Sequence, residues 1–261
     1  MNAQRSQGKI KVVGCGGASI PIINQLKGFG EYGVETIFMD TDGRFIKCIQ
    51  ADRKVLMKRQ SVRGHITCCW PEWGKQSAEL SEDMIREAVE GTDFIIFLAG
   101  LGGNTATGAA PVITRISRGA GAIMISVVCT PFNIDKARRA RAKECVSLLE
   151  AETDLLIVLD NHKLLQRIPG LQPLDVYPIV DGIIVMIVKE IVETIKNPGQ
   201  TDIDPKKDYA NDTCFAMIKG EGGNIITYVK AARRAINRIE LPGEVNRGIR
   251  ESGAEKRRGA G

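Results

Sequence analysis

The chain is poor in aromatic residues, 5% of 261, and carries a net charge of only +5. Few aromatics argue against a stacking platform for single-stranded nucleic acid. The small charge, with 31 acidic residues mixed among the basic ones, argues against a surface for a phosphate backbone. No nucleic-acid partner is therefore expected. The seven cysteines (Cys15, Cys48, Cys68, Cys69, Cys129, Cys145 and Cys214) are odd in number and form no C-x-x-C pair. Neither a disulfide framework nor a zinc site is indicated, and a reduced thiol set is expected. No apolar signal core follows Met1 and no apolar run approaches a bilayer span, so the expectation is a soluble cytoplasmic protein.

What is present is a series of apolar runs. Residues 9–13, 33–40, 94–98, 122–128 and 155–159 read as strands without polar alternation, and helical spacing follows most of them. Strands apolar on both faces, alternating with helices, imply a doubly wound α/β domain with a mainly parallel sheet. Residues 53–58 read as a short edge strand, 61–74 as a long loop, 77–90 as one helix and 135–150 as a strongly basic helix. Residues 174–196 form one long buried helix of about 34 Å, with Pro178 tolerable only in its first turn. A strand at 213–218 and a helix at 225–239 follow. The Gly- and Arg-rich tail from 241 has no apolar period and is expected to be disordered. The domain reading is 1–173, a central helix 174–196, a small strand-helix element within 197–240, and the tail 241–261.

Two glycine-rich turns stand between strands and helices. Residues 99–111, AGLGGNTATGAAP, hold Gly102, Gly103 and Gly108 with Thr105 and Thr107; the helix after them is read from 112. A flexible backbone, free N–H groups at a helix start and hydroxyl donors together suit a di- or triphosphate. An ordinary tight turn would use the same residues. The earlier turn, Gly14-Cys15-Gly16-Gly17-Ala18-Ser19, strengthens the first alternative. It is no P-loop, lacking the Lys-Ser/Thr pair, and Ser19 occupies the third-glycine position of a dinucleotide fingerprint. Asp40-Thr41-Asp42-Gly43 is a polar turn at a strand's carboxyl end, where open sheets place ligands, although an Asx turn would look the same.

Two glycine loops, a strand-end Asp-Thr-Asp and a long buried helix, in this order, resemble the tubulin/FtsZ superfamily, and its FtsZ branch in particular. Gly102-Gly103-Asn104-Thr105-Ala106-Thr107-Gly108 is similar to the family signature G-G-G-T-G-T-G, with both threonines and three of five glycines kept. The resemblance continues through Ala109-Ala110-Pro111, Val127 to Phe132, Asp160 to Leu165 and the long helix. It implies a guanine-nucleotide site for GTP or GDP, with Mg²⁺ held through the phosphates. Gly16, Gly17, Ala18, Asp42 and residues 102–108 would then serve the phosphate end. Asp135 and Arg139 match the family's ribose-binding acid and its ribose- and phosphate-reaching arginine. Asn161 matches its asparagine near ribose and base, and Tyr177 and Asp181 its stacking aromatic and guanine-binding carboxylate. Four apart on one helix, these last two share a face.

The resemblance also implies head-to-tail self-association, with an acidic N-x-D-x-x-D loop reaching the next subunit's γ-phosphate. Here that region reads Thr201-Asp202-Ile203-Asp204-Pro205-Lys206-Lys207-Asp208. One register places a catalytic carboxylate at Asp204 and Lys207 at the second position; the other gives Asp202 and Pro205. Asp208 lies one position off the spacing. Gly64-His65-Ile66-Thr67-Cys68 is bulkier than the family's γ-phosphate contact and is expected to sense that group poorly. The family's C-terminal domain is read as reduced, and a membrane-adaptor partner stays unidentified. Three readings remain: an FtsZ-like GTPase completed between subunits for division or membrane-remodelling scaffolding, a guanine-nucleotide-binding structural or regulatory protein with little turnover, and an NAD-dependent oxidoreductase. Ser19 and the second glycine loop disfavour the last.

Overall fold

The apolar runs form one sheet. Its strands are β1 (Ile10–Cys15), β2 (Val34–Asp40), β3 (Arg53–Leu56), β4 (Phe94–Gly100), β5 (Ile123–Thr130), β6 (Leu155–Asp160) and β7 (Ala216–Gly220). The computed structural model describes residues 8–58, 70–168, 170–197, 216–220 and 225–237. The spatial order is β3-β2-β1-β4-β5-β6-β7, parallel throughout except for β7, which pairs antiparallel to β6. The sheet-forming runs lack polar alternation because both faces are covered. On β4, Ile96 and Leu98 join the core beneath α1 (Ile20–Gln25), α7 (Asn161–Arg167), α8 (Pro173–Lys196) and α9 (Ile225–Asn237). Ile95, Phe97 and Ala99 join the opposite core, beneath α3 (Pro71–Leu80), α4 (Glu82–Val89), α5 (Thr105–Gly119) and α6 (Lys136–Glu152). The doubly wound reading of the sequence is thus what the chain adopts.

The strand order fixes where a ligand can enter. From β1 the chain moves outward to β2 and β3; it then returns to β4 on the other side of β1 and runs outward again to β5 and β6. Connections leaving the carboxyl ends of β1 and β4 therefore diverge onto opposite faces and leave a crevice between them. Both glycine loops sit there.

Several boundaries differ from the sequence reading. The helix read from 112 begins at Thr105, so Gly108, Ala109 and Ala110 are helical and only Leu101–Asn104 remains a loop. Small residues there reflect close packing, since Ala109 and Ala110 are fully buried, and tertiary contact outweighs the weak helix propensity of glycine. Residues 71–74, read as loop, start α3. The single helix read at 77–90 is divided at Ser81, whose hydroxyl accepts a 2.7 Å hydrogen bond from the Lys58 backbone N–H and ties the break to the chain leaving β3. The helix read at 20–29 stops at Gln25. Two short helices were not anticipated: α2 (Gly43–Cys48), capped by Asp42, and α7, capped by Asp160.

The helix α8 covers one face with Ile183, Ile184, Ile187, Val188 and Ile191 all buried. Each such side chain contributes about 1.5–3 kcal/mol by leaving water. Pro178 lies past the first turn, because the helix starts at Pro173. The backbone bond it removes falls at the helix's exposed end, where Leu174 is 78% exposed. No described helix is long and apolar enough to cross a membrane. The tail 241–261 lies outside the described residues.

Candidate functional site

The two glycine loops meet. Gly16 takes a positive φ of 79°, and a Cβ there would come within 2.9 Å of the Ala106 Cβ at the start of α5. The Gly16 carbonyl accepts a 2.9 Å bond from the Ser19 hydroxyl, which is why a serine stands at this point of the turn. In the central loop Gly102, with φ 98°, donates its N–H to the Thr107 hydroxyl at 2.8 Å, and its carbonyl accepts from the Arg141 guanidinium at 3.3 Å. The Thr105 hydroxyl lies 3.0 Å from that of Thr41, linking the loop after β2 to the same turn. Between them opens a cleft of about 470 Å³.

Both glycine loops line this cleft, through Gly16, Gly17, Ala18, Gly103, Asn104, Thr105 and Ala106. The first N–H groups of α5 have no partner within the helix, and the positive end of its dipole favours an anion there. Cys129, Asn161, Tyr177, Val180 and Asp181 line it as well, with Cys129 and Ala18 both packed around Gly100. Asn161 is 3% exposed and its buried Oδ1 has no hydrogen-bond partner. Such an atom costs about 1–3 kcal/mol until something donates to it. Tyr177 is half-exposed and meets Phe132 edge to face, with ring centroids 5.5 Å apart. Burial pushes the Asp181 carboxyl up to about 6. The Cys129 thiol is pushed up to about 12, first by burial and then by the charge of Asp181, so it stays protonated and is no nucleophile.

Most residues chosen from the sequence are brought together here, and some play other parts. Thr107 and Gly108 are buried and, like Gly102, shape the loop without lining the cleft. Arg139, expected to contact the ligand, is held in this structure by protein groups. Its guanidinium bonds the Asp160 carboxylate at 2.6 and 3.2 Å and the Pro131 carbonyl at 2.7 Å, and the neighbouring Arg138 lines the cleft instead. Asp135 likewise caps α6, accepting from the Arg138 N–H at 2.9 Å, and is absent from the lining. Asp42 caps α2 and pairs with Arg44, whereas Asp40 lines the cleft and accepts the Asp42 N–H at 2.8 Å. The acidic positions Asp202, Asp204 and Asp208, and the segment 64–68, lie outside the described residues.

Sequence reasoning did not select Phe45, Cys129, Arg138 or Val180, all of which line the cleft. Phe45 has no signal of its own, because its helix was not anticipated. Val180 had one: it lies three residues after Tyr177 and one before Asp181 on the same helix. Among the described residues, no cluster of three or more His, Cys, Asp or Glu could hold a metal ion.

Residues 9–169 match the Tubulin/FtsZ family, GTPase domain. The chain is 39% identical over 198 residues to cell division protein FtsZ 2 of Methanocaldococcus jannaschii, covering 76% of this chain and 52% of that protein. It is 35% identical over 260 residues to cell division protein FtsZ 1 of Pyrococcus horikoshii, covering 97% and 70% respectively. A solved structure of an empty FtsZ dimer from M. jannaschii superposes with a TM-score of 0.69 at 35% identity, covering 77% of this chain and 59% of that one. The chain spans about half the length of the FtsZ 2 relatives it matches.

Proposed function

The chain belongs to the tubulin/FtsZ family through its GTPase domain, and from that premise we propose that it binds a guanine nucleotide in the switch-point cleft. The cradle of Gly16 to Ala18 and Gly103 to Ala106 receives the phosphates, with Mg²⁺ held through them. The base lies against Tyr177 and accepts no substitute for guanine, because Asp181 takes the N1–H and N2–H bonds that adenine cannot offer. Asn161 fits beside the ribose and base. The observation that carries this reading is the cleft itself: a glycine-rich backbone cradle and a carboxylate one helical turn from an aromatic ring line one cavity of about 470 Å³.

Self-association head to tail, with GTP hydrolysed at the junction for division or membrane-remodelling scaffolding, extends that reading. The relatives are named cell division proteins, and one solved relative is a dimer. Catalysis of this kind works by positioning and charge stabilisation, with Asp204 or Asp202 of a neighbouring copy placing the attacking water. The irregular acidic spacing, Asp202-Ile203-Asp204-Pro205-Lys206-Lys207-Asp208, favours a second reading in which nucleotide is held with little turnover. Phosphate release from GTP over a protein concentration series separates the two. Specific activity that climbs with concentration near assembly supports hydrolysis between subunits, and a flat or absent rate removes it. Purified protein that neither retains guanine nucleotide nor prefers GTP to ATP would end the nucleotide reading.

Arg138 is the described cleft-lining cation. Arg138→Ala is expected to weaken GDP roughly threefold to tenfold at low salt, with the difference shrinking as salt rises because the group is exposed. Titration of GDP and guanosine at two ionic strengths checks it. An equal loss for both ligands would place the arginine elsewhere than at the phosphates.

A further inference from the structure

The helices α3 and α5 cross backbone to backbone at a pair of glycines. A Cβ on Gly74 of α3 would stand 2.5 Å from the carbonyl oxygens of both Asn104 and Thr105, and one on Gly108 of α5 would overlap the Pro71 carbonyl and crowd the Lys75 N–H. Gly74 is buried. Its two contacts are the peptide groups that open α5: the Asn104 carbonyl begins the helical ladder by accepting the Gly108 N–H at 3.2 Å.

A peptide group is a rigid plate. The Asn104 carbonyl shares its plane with the Thr105 N–H, and the Thr105 carbonyl with the Ala106 N–H. Thr105 and Ala106 line the cleft, and their N–H groups lie among those without an intrahelical partner. Whatever presses on those carbonyls from α3 tilts the donors on the other side. On the cleft side the same turn is tied by the Thr41 to Thr105 hydroxyl contact at 3.0 Å and by the Gly102 to Thr107 bond at 2.8 Å, so it has little room to yield. We propose that Gly74 is a positioning residue of the anion cradle: by admitting α3 against the back of the first α5 turn, it sets the tilt of the Thr105 and Ala106 N–H groups toward the phosphates. This rests on the nucleotide reading above.

The consequence is a defect specific to phosphate. In Gly74→Ala the affinity for GDP is expected to fall tenfold or more while that for guanosine stays within twofold, so the gain from the two phosphates collapses. Alanine is the better helix former, so a weaker α3 cannot be the cause of such a loss. An unchanged ratio of the two affinities overturns the proposal. Should the variant not fold, the unaltered protein still decides. Its only two tryptophans, Trp70 and Trp73, stand at the start of α3 and report on that helix alone. Saturating GDP is expected to shift their emission and saturating guanosine to leave it unchanged. Equal shifts, or none with GDP that calorimetry shows to be bound, overturn the proposal. If the unaltered protein binds GDP no more tightly than guanosine, the nucleotide reading itself has failed, a result distinct from either of these.

Discussion

Asp181→Asn is expected to lower the affinity for GDP by about 3–4 kcal/mol, on the order of several hundredfold, and to make xanthosine diphosphate the better ligand. In the proposed base site the carboxylate accepts two donors from guanine while partly desolvated, and charge-assisted bonds of that kind are the strong ones. An amide can keep the acceptor for N1–H, but it turns its NH₂ toward the guanine amino group, donor against donor. Xanthine carries a carbonyl at that position, which accepts from the same NH₂. Competition binding with GDP, ADP and xanthosine diphosphate checks the exchange. A variant that keeps the parent's preference for GDP over ADP would remove Asp181 from the base site.

The same residue gives the cleft a pH dependence whose sign is fixed. Burial raises the Asp181 carboxyl to about 6, and the proposed guanine contact needs it ionised. Affinity for guanosine, which has no phosphate to titrate, is therefore expected to fall about tenfold from pH 7.5 to pH 5, and Asp181→Asn is expected to lose that slope. In the free protein the linkage runs the other way. A carboxyl whose folded pKa lies above its unfolded value holds more protons when folded, so stability falls as pH rises from near 4 through 6. The asparagine variant escapes that loss, and it should unfold at higher urea than the parent at pH 7.5 while the two converge in acid. A site residue that destabilises the empty fold is the usual compromise between binding and stability.

How much of this was legible depended on the range of the interaction. The strands, the long helix and the α/β class follow from hydrophobic period alone, because burial on both faces removes polar alternation over several consecutive residues. The meeting of the two glycine loops follows from strand order. Where a single contact decided the outcome, the chain gave no sign. Ser81 divides a helix because the Lys58 N–H needs an acceptor, and Gly108 to Ala110 look like a turn because the packing that demands small side chains comes from a helix thirty-odd residues earlier. At the site, a motif match identified the basic run after Asp135 but not which member faces the cleft. Adjacent positions on a helix differ by about 100°, so Arg138 points into the cleft while Arg139 turns to β6. Asp40 and Asp42 exchange roles for a related reason, since the end of a strand and the cap of a helix sit two residues apart and only one looks inward.

Asp160→Ala is expected to cost about 2–4 kcal/mol of folding stability, through the loss of a helix cap and of part-buried charge-assisted hydrogen bonds. Its side chain, 14% exposed, does three things. One oxygen caps α7 by accepting the His162 and Lys163 N–H groups at 3.0 and 3.2 Å, and both accept from Arg139. Arg139 in turn holds the Pro131 carbonyl, so a single carboxylate joins the exits of β5 and β6 to α6 and to the first residue of α7, which is Asn161. Burial alone would raise this carboxyl, but the Arg139 hydrogen bond and charge and the two backbone N–H groups outweigh it and hold the group below the ordinary carboxylate range. A lowered folded pKa stabilises above the unfolded value near 4 and loses that contribution as pH falls through the folded value. The parent and Asp160→Asn should therefore differ most in urea unfolding at neutral pH and approach each other in acid, with the amide keeping part of the cap. Arg139→Ala separates structure from ligation: it should unfold at markedly lower urea yet, where folded, bind GDP within a few-fold of the parent. A variant with full stability and lost GDP affinity would return that arginine to the nucleotide.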